Sequence, residues 1–84
     1  MYSLKIIPRA EKDLNNLPAK IFNKIKLEIL NLSENPRPYG AIKLSGQDGY
    51  RIREGDYRIL YRIDDEAKKV FIYRIKHRKN VYRK

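Results

Sequence analysis

The sequence predicts a small α+β domain: an N-terminal strand, then a two-helix hairpin packed on an antiparallel sheet with a three-strand C-terminal meander, in the order β-α-α-β-β-β. Three observations carry that expectation. Apolar residues recur at helical spacing from Ile21 to Leu32, giving one stripe for a core to cover. From Tyr50 onward the grammar changes to segments rich in β-branched and aromatic residues, "YRIRE", "YRILYRID" and "KVFIYRIK", separated by short turns. The chain has 84 residues and no linker-like or low-complexity stretch, so residues 1–84 are expected to form a single domain around one core.

Taken in order, Tyr2, Leu4 and Ile6 alternate with polar neighbours, which predicts a first strand over 2–7. Pro8 opens a helical stretch through Leu14 and Leu17. Pro18 stands where a second helix would begin, a position that tolerates its missing N–H. In that helix Ile21, Ile25, Ile29 and Leu32 form the stripe, widened by Phe22 and Leu30, while Lys20, Asn23, Lys24 and Glu28 fall elsewhere on the cylinder. It should stop near Ser33, because "ENPRPYG" holds two prolines and a glycine. Gly46 and Gly49 flank a short loop, match no phosphate-binding fingerprint, and read as turn glycines. Gly55-Asp56 is a two-residue hairpin turn, and "DEAKK" supplies a longer one.

The tripeptide Tyr-Arg-Ile occurs four times, at Tyr50, Tyr57, Tyr61 and Tyr73. Strand side chains alternate, so Tyr and Ile should share one face while Arg takes the other. With Gly55-Asp56 as the turn, Glu54 pairs with Tyr57, Arg53 with Arg58, Ile52 with Ile59, and Arg51 with Leu60. Matching apolar residues in the next hairpin sets Ile59 against Ile75, Tyr61 against Tyr73 and Ile63 against Phe71. That register also places Arg58 beside Lys76 and Leu60 beside Arg74. One face is then Ile52, Ile59, Tyr61, Ile63, Phe71, Tyr73 and Ile75, the expected core. The other carries Arg51, Arg53, Arg58, Arg74 and Lys76 around Leu60. Like charges directly opposite one another destabilise a sheet, and the acids lie at the turns instead. Such clustering is explained if an anion occupies that face.

The charge balance points the same way. Twenty Lys and Arg against ten Asp and Glu leave a net +10. Residues 1–49 hold eight basic and five acidic groups, whereas residues 50–84 hold twelve and five. Seven of those twelve are arginines, whose planar fork fits phosphate oxygens. The expected partner is a polyanion, most simply nucleic acid. With no cysteine, neither disulfides nor thiolate metal sites are available, which fits a cytoplasmic location. The N-terminal "MYSLKIIPRAEKDL" lacks an apolar signal-peptide core, and no apolar run approaches the ~18 residues of a membrane span. Asp64, Asp65 and Glu66 read as solvated turn acids rather than as metal ligands, and no cofactor is expected.

The C-terminal "KHRKNVYRK" holds the only histidine, His77, a group that can carry a proton near neutral pH. Arg78 follows it, and Tyr82 offers an aromatic ring able to stack on a base. The run "KLSGQDGYRIREGDYRILYRID", together with "IKHRKNVYR", resembles the RelE branch of the RelE/ParE toxin superfamily, and the element order matches it as well.

That resemblance implies a toxin of a type II toxin–antitoxin pair, acting as a ribosome-dependent endoribonuclease that cleaves mRNA in the ribosomal A site and held inactive by a small antitoxin. Its partners would be the cognate antitoxin, the ribosome and mRNA. By motif position, Arg51 and Arg53 correspond to a pair of basic residues before the hairpin turn, where the best-studied pattern has lysines. Arg58 corresponds to the arginine of the following Tyr-Arg segment, Arg78 to that of the C-terminal motif, and Tyr82 to the terminal tyrosine. His77 falls where related nucleases place a proton-transfer group. Arginine does not readily release a proton, so Arg51 and Arg53 are expected to hold phosphate rather than act as bases. Arg58 becomes the main phosphate clamp, Arg78 or His77 the acid, and Tyr82 a stacking platform. The reaction implied is metal-independent attack by a 2′-hydroxyl on the adjacent phosphate. Arg62, Arg74, Lys76, Lys79 and Arg83 are expected to contact RNA, with Arg62 and Arg74 equally placed to meet the antitoxin. The rival readings are a gyrase inhibitor of the same fold and a non-catalytic RNA- or ribosome-binding module.

Overall fold

The computed structural model describes residues 1–46 and 49–81. Its elements are β1 (Ser3–Ile6), α1 (Pro8–Asn15), α2 (Ala19–Glu34), β2 (Ile42–Lys43), β3 (Tyr50–Glu54), β4 (Tyr57–Asp64), β5 (Lys69–His77) and α3 (Arg78–Val81). The strands form one sheet in the order β1-β5-β4-β3-β2. The C-terminal meander is antiparallel as expected, whereas β1 lies parallel to β5, with Ser3 opposite Lys69 and Ile6 opposite Ile72. The sheet is therefore mixed, with the helical hairpin serving as the excursion away from β1. The two-residue β2 and the single turn of α3 carry too few residues to produce a periodic signal in the sequence.

Both prolines begin helices as the sequence implied. Pro8 occupies the first turn of α1 and Pro18 caps α2, where no intrahelical N–H is needed. Ile25, Ile29 and Leu32 of α2 are buried with Ala10 and Leu14 of α1 against Ile52, Ile59, Tyr61, Val70, Ile72 and Ile75 of the sheet. Each such aliphatic side chain contributes about 1.5–3 kcal/mol of burial. Leu30, expected to widen the stripe, is instead half exposed. The stripe that faces the sheet is narrower than the apolar positions of α2.

The β3–β4 register agrees residue for residue with the expectation, Glu54 to Tyr57 through Arg51 to Leu60. Gly55 at the first turn position has φ +60°, which type II′ hairpins require there. In the β4–β5 hairpin the pairs Arg58 with Lys76, Ile59 with Ile75 and Leu60 with Arg74 form as expected. Beyond Leu60 a bulge shifts the ladder by one residue, so Tyr61 faces Ile72 and Ile63 faces Val70. Tyr73 is the extra residue. The expected partners Tyr73 and Phe71 give way to Ile72 and Val70, which enter the core, while Phe71 moves to the opposite face beside Arg62. The run Val70-Phe71-Ile72-Tyr73 is apolar at both parities, so alternation could not choose between the registers.

The bulge also explains Gly49. A Cβ there would sit 3.0 Å from the Tyr73 hydroxyl and 3.2 Å from the Tyr61 carbonyl, closer than ordinary contact, so glycine suits the close approach of this loop to β4 and β5.

Candidate nucleic-acid interface

The Tyr-Arg-Ile repeats place their arginines in different surroundings. Arg58, the second residue of the central strand β4, is only 3% exposed. Its register neighbours are Arg53 on β3 and Lys76 on β5, so three cations stand in one row across three strands. The guanidinium Nε and Nη1 of Arg58 are buried and have no hydrogen-bond partner among the described residues. Among the described residues, no ion pair involves Arg58, whereas Arg37, Arg74 and Arg78 each reach an aspartate. Two buried donors of a charged group left with neither partner nor solvent are costly to the fold. Arg58 lies on the face opposite the core, as strand alternation predicts, yet its side chain is buried. The adjacent row sets Arg51 against Leu60 and Arg74, with Arg51 half-buried and Arg53 exposed.

Arg74 departs from its expected role as an outward RNA contact. Its Nε donates to Asp13 Oδ2 at 2.8 Å, and the Ile75 backbone N–H donates to the same oxygen at 2.9 Å. β1 ends at Ile6, opposite Ile72, so the edge of β5 lacks a strand partner farther along. Asp13, in the last turn of α1, takes up the N–H that β1 leaves unpaired and pins the helix to the strand beside Lys76.

His77 also stands apart from the row. It pairs with Tyr57, so strand alternation puts it on the side of Ile59 and Ile75, opposite Lys76 and Arg58. Its ring meets Tyr57 edge-on at 5.1 Å, and its Nδ1 accepts from the Lys79 N–H at 3.2 Å, at the start of α3. Arg78 N–H donates to the Asp56 carbonyl at 2.6 Å, and its Nε lies 3.7 Å from Asp56 Oδ1. Both residues thus tie α3 to the Gly55-Asp56 turn. Lys79 is exposed on α3. Tyr82 and Arg83 lie outside the described residues.

Arg62 follows the bulge on β4, exposed, with its guanidinium 5.8 Å from the centre of the Phe71 ring. It borders a shallow depression with Phe71 and the acids of the β4–β5 turn, separate from the Arg58 row. Those acids are engaged in the turn itself. Asp64 accepts from the Ala67 N–H at 3.0 Å, and Asp65 receives both Arg37 and the Tyr2 hydroxyl. The Arg37 hydrogen bonds, then that of Tyr2, hold the Asp65 carboxyl down at about 2. Arg37 was not singled out in the sequence; its position in a Pro-Arg-Pro segment marked only a loop.

The molecule therefore offers one basic face with a buried, unsatisfied guanidinium at its centre. Among known proteins, the family model described as the ParE toxin of type II toxin–antitoxin systems, parDE, matches residues 4–82. Toxin RelG of Mycobacterium tuberculosis is 34% identical over 85 residues, covering 99% of this chain and 98% of that protein. The putative toxin RelE1 of Methanocaldococcus jannaschii is 31% identical, covering 98% of this chain and 96% of that protein. The solved toxin–antitoxin complex RelBE2 from Mycobacterium tuberculosis contains a chain with TM-score 0.81 and 33% identity, covering 90% of this chain and 96% of that one. The archaeal RelE-RelB complex from Pyrococcus horikoshii gives 0.82 and 32%, covering 92% and 94%. The chain belongs to the RelE/ParE family of toxins from type II toxin–antitoxin systems.

Proposed function

We propose that this protein is a ribosome-dependent endoribonuclease that cleaves mRNA in the A site, and that a cognate antitoxin holds it inactive. The observation that carries the reading is Arg58: a buried guanidinium with two unpartnered donors, set between Arg53 and Lys76. A phosphate entering that row would satisfy the orphaned donors and offset the repulsion among three cations. The solved complexes of similar toxins with RelB antitoxins support the same class of partner for this chain.

The reaction is the one that the family resemblance implies, mapped onto the residues of this row. The 2′-hydroxyl gives up its proton to solvent or a ribosomal group and attacks the adjacent phosphorus, and the bond to the 5′-oxygen breaks. The products are a 2′,3′-cyclic phosphate and a 5′-hydroxyl, whose proton must be delivered to the leaving oxygen. Arg58 holds the non-bridging oxygens as negative charge builds on them, with Arg53 and Arg51 adding positive potential from β3. Arginine does not serve as the base. Lys76 stands beside Arg58 in the row, so its ammonium is placed to supply the proton in the role that the sequence divided between His77 and Arg78. His77 and Arg78 instead seat α3 at the end of the sheet. No metal is required by this route.

Because the matching family model is described by parDE, gyrase inhibition is the second reading. In vitro translation with primer extension on the mRNA separates the two. Discrete A-site cuts are expected; intact mRNA with blocked gyrase supercoiling would replace this reading with the second.

A further inference from the structure

Beside the Arg58 row lies a groove of about 360 Å³ between α2 and β3, walled by Glu28, Tyr39, Ile42, Arg51 and Arg53. It exists because β2 is so short: its pairing with β3 stops at Arg51, leaving the edge from Ile52 onward without a neighbouring strand. At its rim the chain makes a tight turn, the Ala41 N–H donating to the Pro38 carbonyl at 3.0 Å. Gly40 has φ +98° in the third turn position, as a type II turn demands. Tyr39 occupies the second position and is fully exposed at 105%. A fixed turn thus holds a bare aromatic ring over a groove that two arginines also line.

We propose that this groove is a nucleotide subsite for single-stranded RNA, with Tyr39 as a base-stacking platform and Arg51 and Arg53 holding the flanking phosphate; this rests on the mRNA-cleaving reading above. Stacking on an exposed aromatic beside backbone-binding cations is how proteins hold single strands without relying on sequence. β2 lies two strand spacings from β4, roughly 10 Å. The base on Tyr39 therefore belongs to a nucleotide close along the chain to the one whose phosphate meets Arg58.

One acid, Glu28, lines the groove against two arginines. Burial of Glu28, followed by its proximity to Glu54, pushes the Glu28 carboxyl upward. Two guanidiniums at one wall favour an RNA occupant over a protein segment.

The test uses the whole chain and a short fluorescein-labelled single-stranded RNA, followed by anisotropy across a salt series. Tyr39→Ala should weaken binding about tenfold, the loss of one base stack, with the salt slope unchanged. Tyr39→Phe should retain wild-type affinity, while Arg51→Ala should lower the slope by about one phosphate contact. On mRNA-programmed ribosomes, Tyr39→Ala should raise the toxin concentration for half-maximal cleavage and leave the saturating rate intact. Unchanged RNA binding by Tyr39→Ala overturns the subsite. So does full rescue by Tyr39→Leu, which would mark a merely apolar contact, or lost antitoxin affinity with RNA binding intact, which would mark a protein-docking surface. The two readings fail separately. Tyr39-dependent RNA binding by a wild-type chain that cuts no mRNA leaves the subsite standing, whereas normal cleavage at wild-type concentrations of Tyr39→Ala leaves only the nuclease.

Discussion

Arg58 and Arg74 come from the same tripeptide on neighbouring strands, yet their surroundings differ sharply. Arg74 is clamped by Asp13, whose carboxylate also takes the Ile75 N–H, so its charge is compensated and it fastens α1 to β5. Arg58 is more deeply buried, has cations on both sides, and leaves Nε and Nη1 unpartnered. The contrast shows that an arginine in a strand is defined by the acid within reach. A cation with its own aspartate holds the fold together. A cation without one is poised for a ligand, at some cost to stability.

The comparison breaks most readily at Arg58. Arg58→Met is expected to reduce ribosome-dependent cleavage by about a hundredfold or more, as removal of a transition-state donor does elsewhere. The same variant should raise stability in urea by about 1 kcal/mol, because it replaces an unpaired buried charge with an apolar side chain. Loss of stability with cleavage unaffected would reverse the assignment of the two arginines.

Asp13→Ala should show the opposite pattern. It strands a partly buried Arg74 and removes the partner of the Ile75 N–H, costing about 2 kcal/mol in equilibrium unfolding. Asp13→Asn, which can still accept from that N–H, should cost less.

The exposed Arg37–Asp65 pair is weaker and reveals itself through pH. A carboxyl held near 2 in the folded state, against an ordinary value of 3.8, stabilises the fold above the higher value. That contribution should disappear as pH falls from about 3.8 through about 2, and thermal melts of Asp65→Asn should lack this part of the acid transition. The smallest effect belongs to Arg62. Exposed and resting on Phe71, it should change stability by no more than about 0.5 kcal/mol on replacement by alanine. If Arg62 contacts RNA, the change will appear as a shallower salt dependence of binding instead.

Much of the architecture was legible because its signals are local. Helix starts follow from Pro8 and Pro18, the first hairpin register from Gly55-Asp56, and the core face of β3 and early β4 from strict alternation through Ile52 and Ile59. Legibility ended at Leu60, where the bulge reversed the parity of a run apolar at every position. The basic row was legible too, since Arg53, Arg58 and Lys76 follow from the two registers. Tyr39 and Asp13 were not, because a loop tyrosine and a helix aspartate carry no periodic or motif signal.

The sequence by itself determined the order of the main elements, the excess of positive charge in its second half, and the register that aligns three cations. Those are properties of spacing and composition along the chain. Only the tertiary structure decided which arginine meets an acid, because Asp13 and Arg74 are 61 residues apart in sequence. It likewise decided that Arg58 is enclosed without a partner and that Tyr39 stands at the rim of the groove lined by Arg51 and Arg53. Pairing and burial depend on which distant segments the packed core brings together.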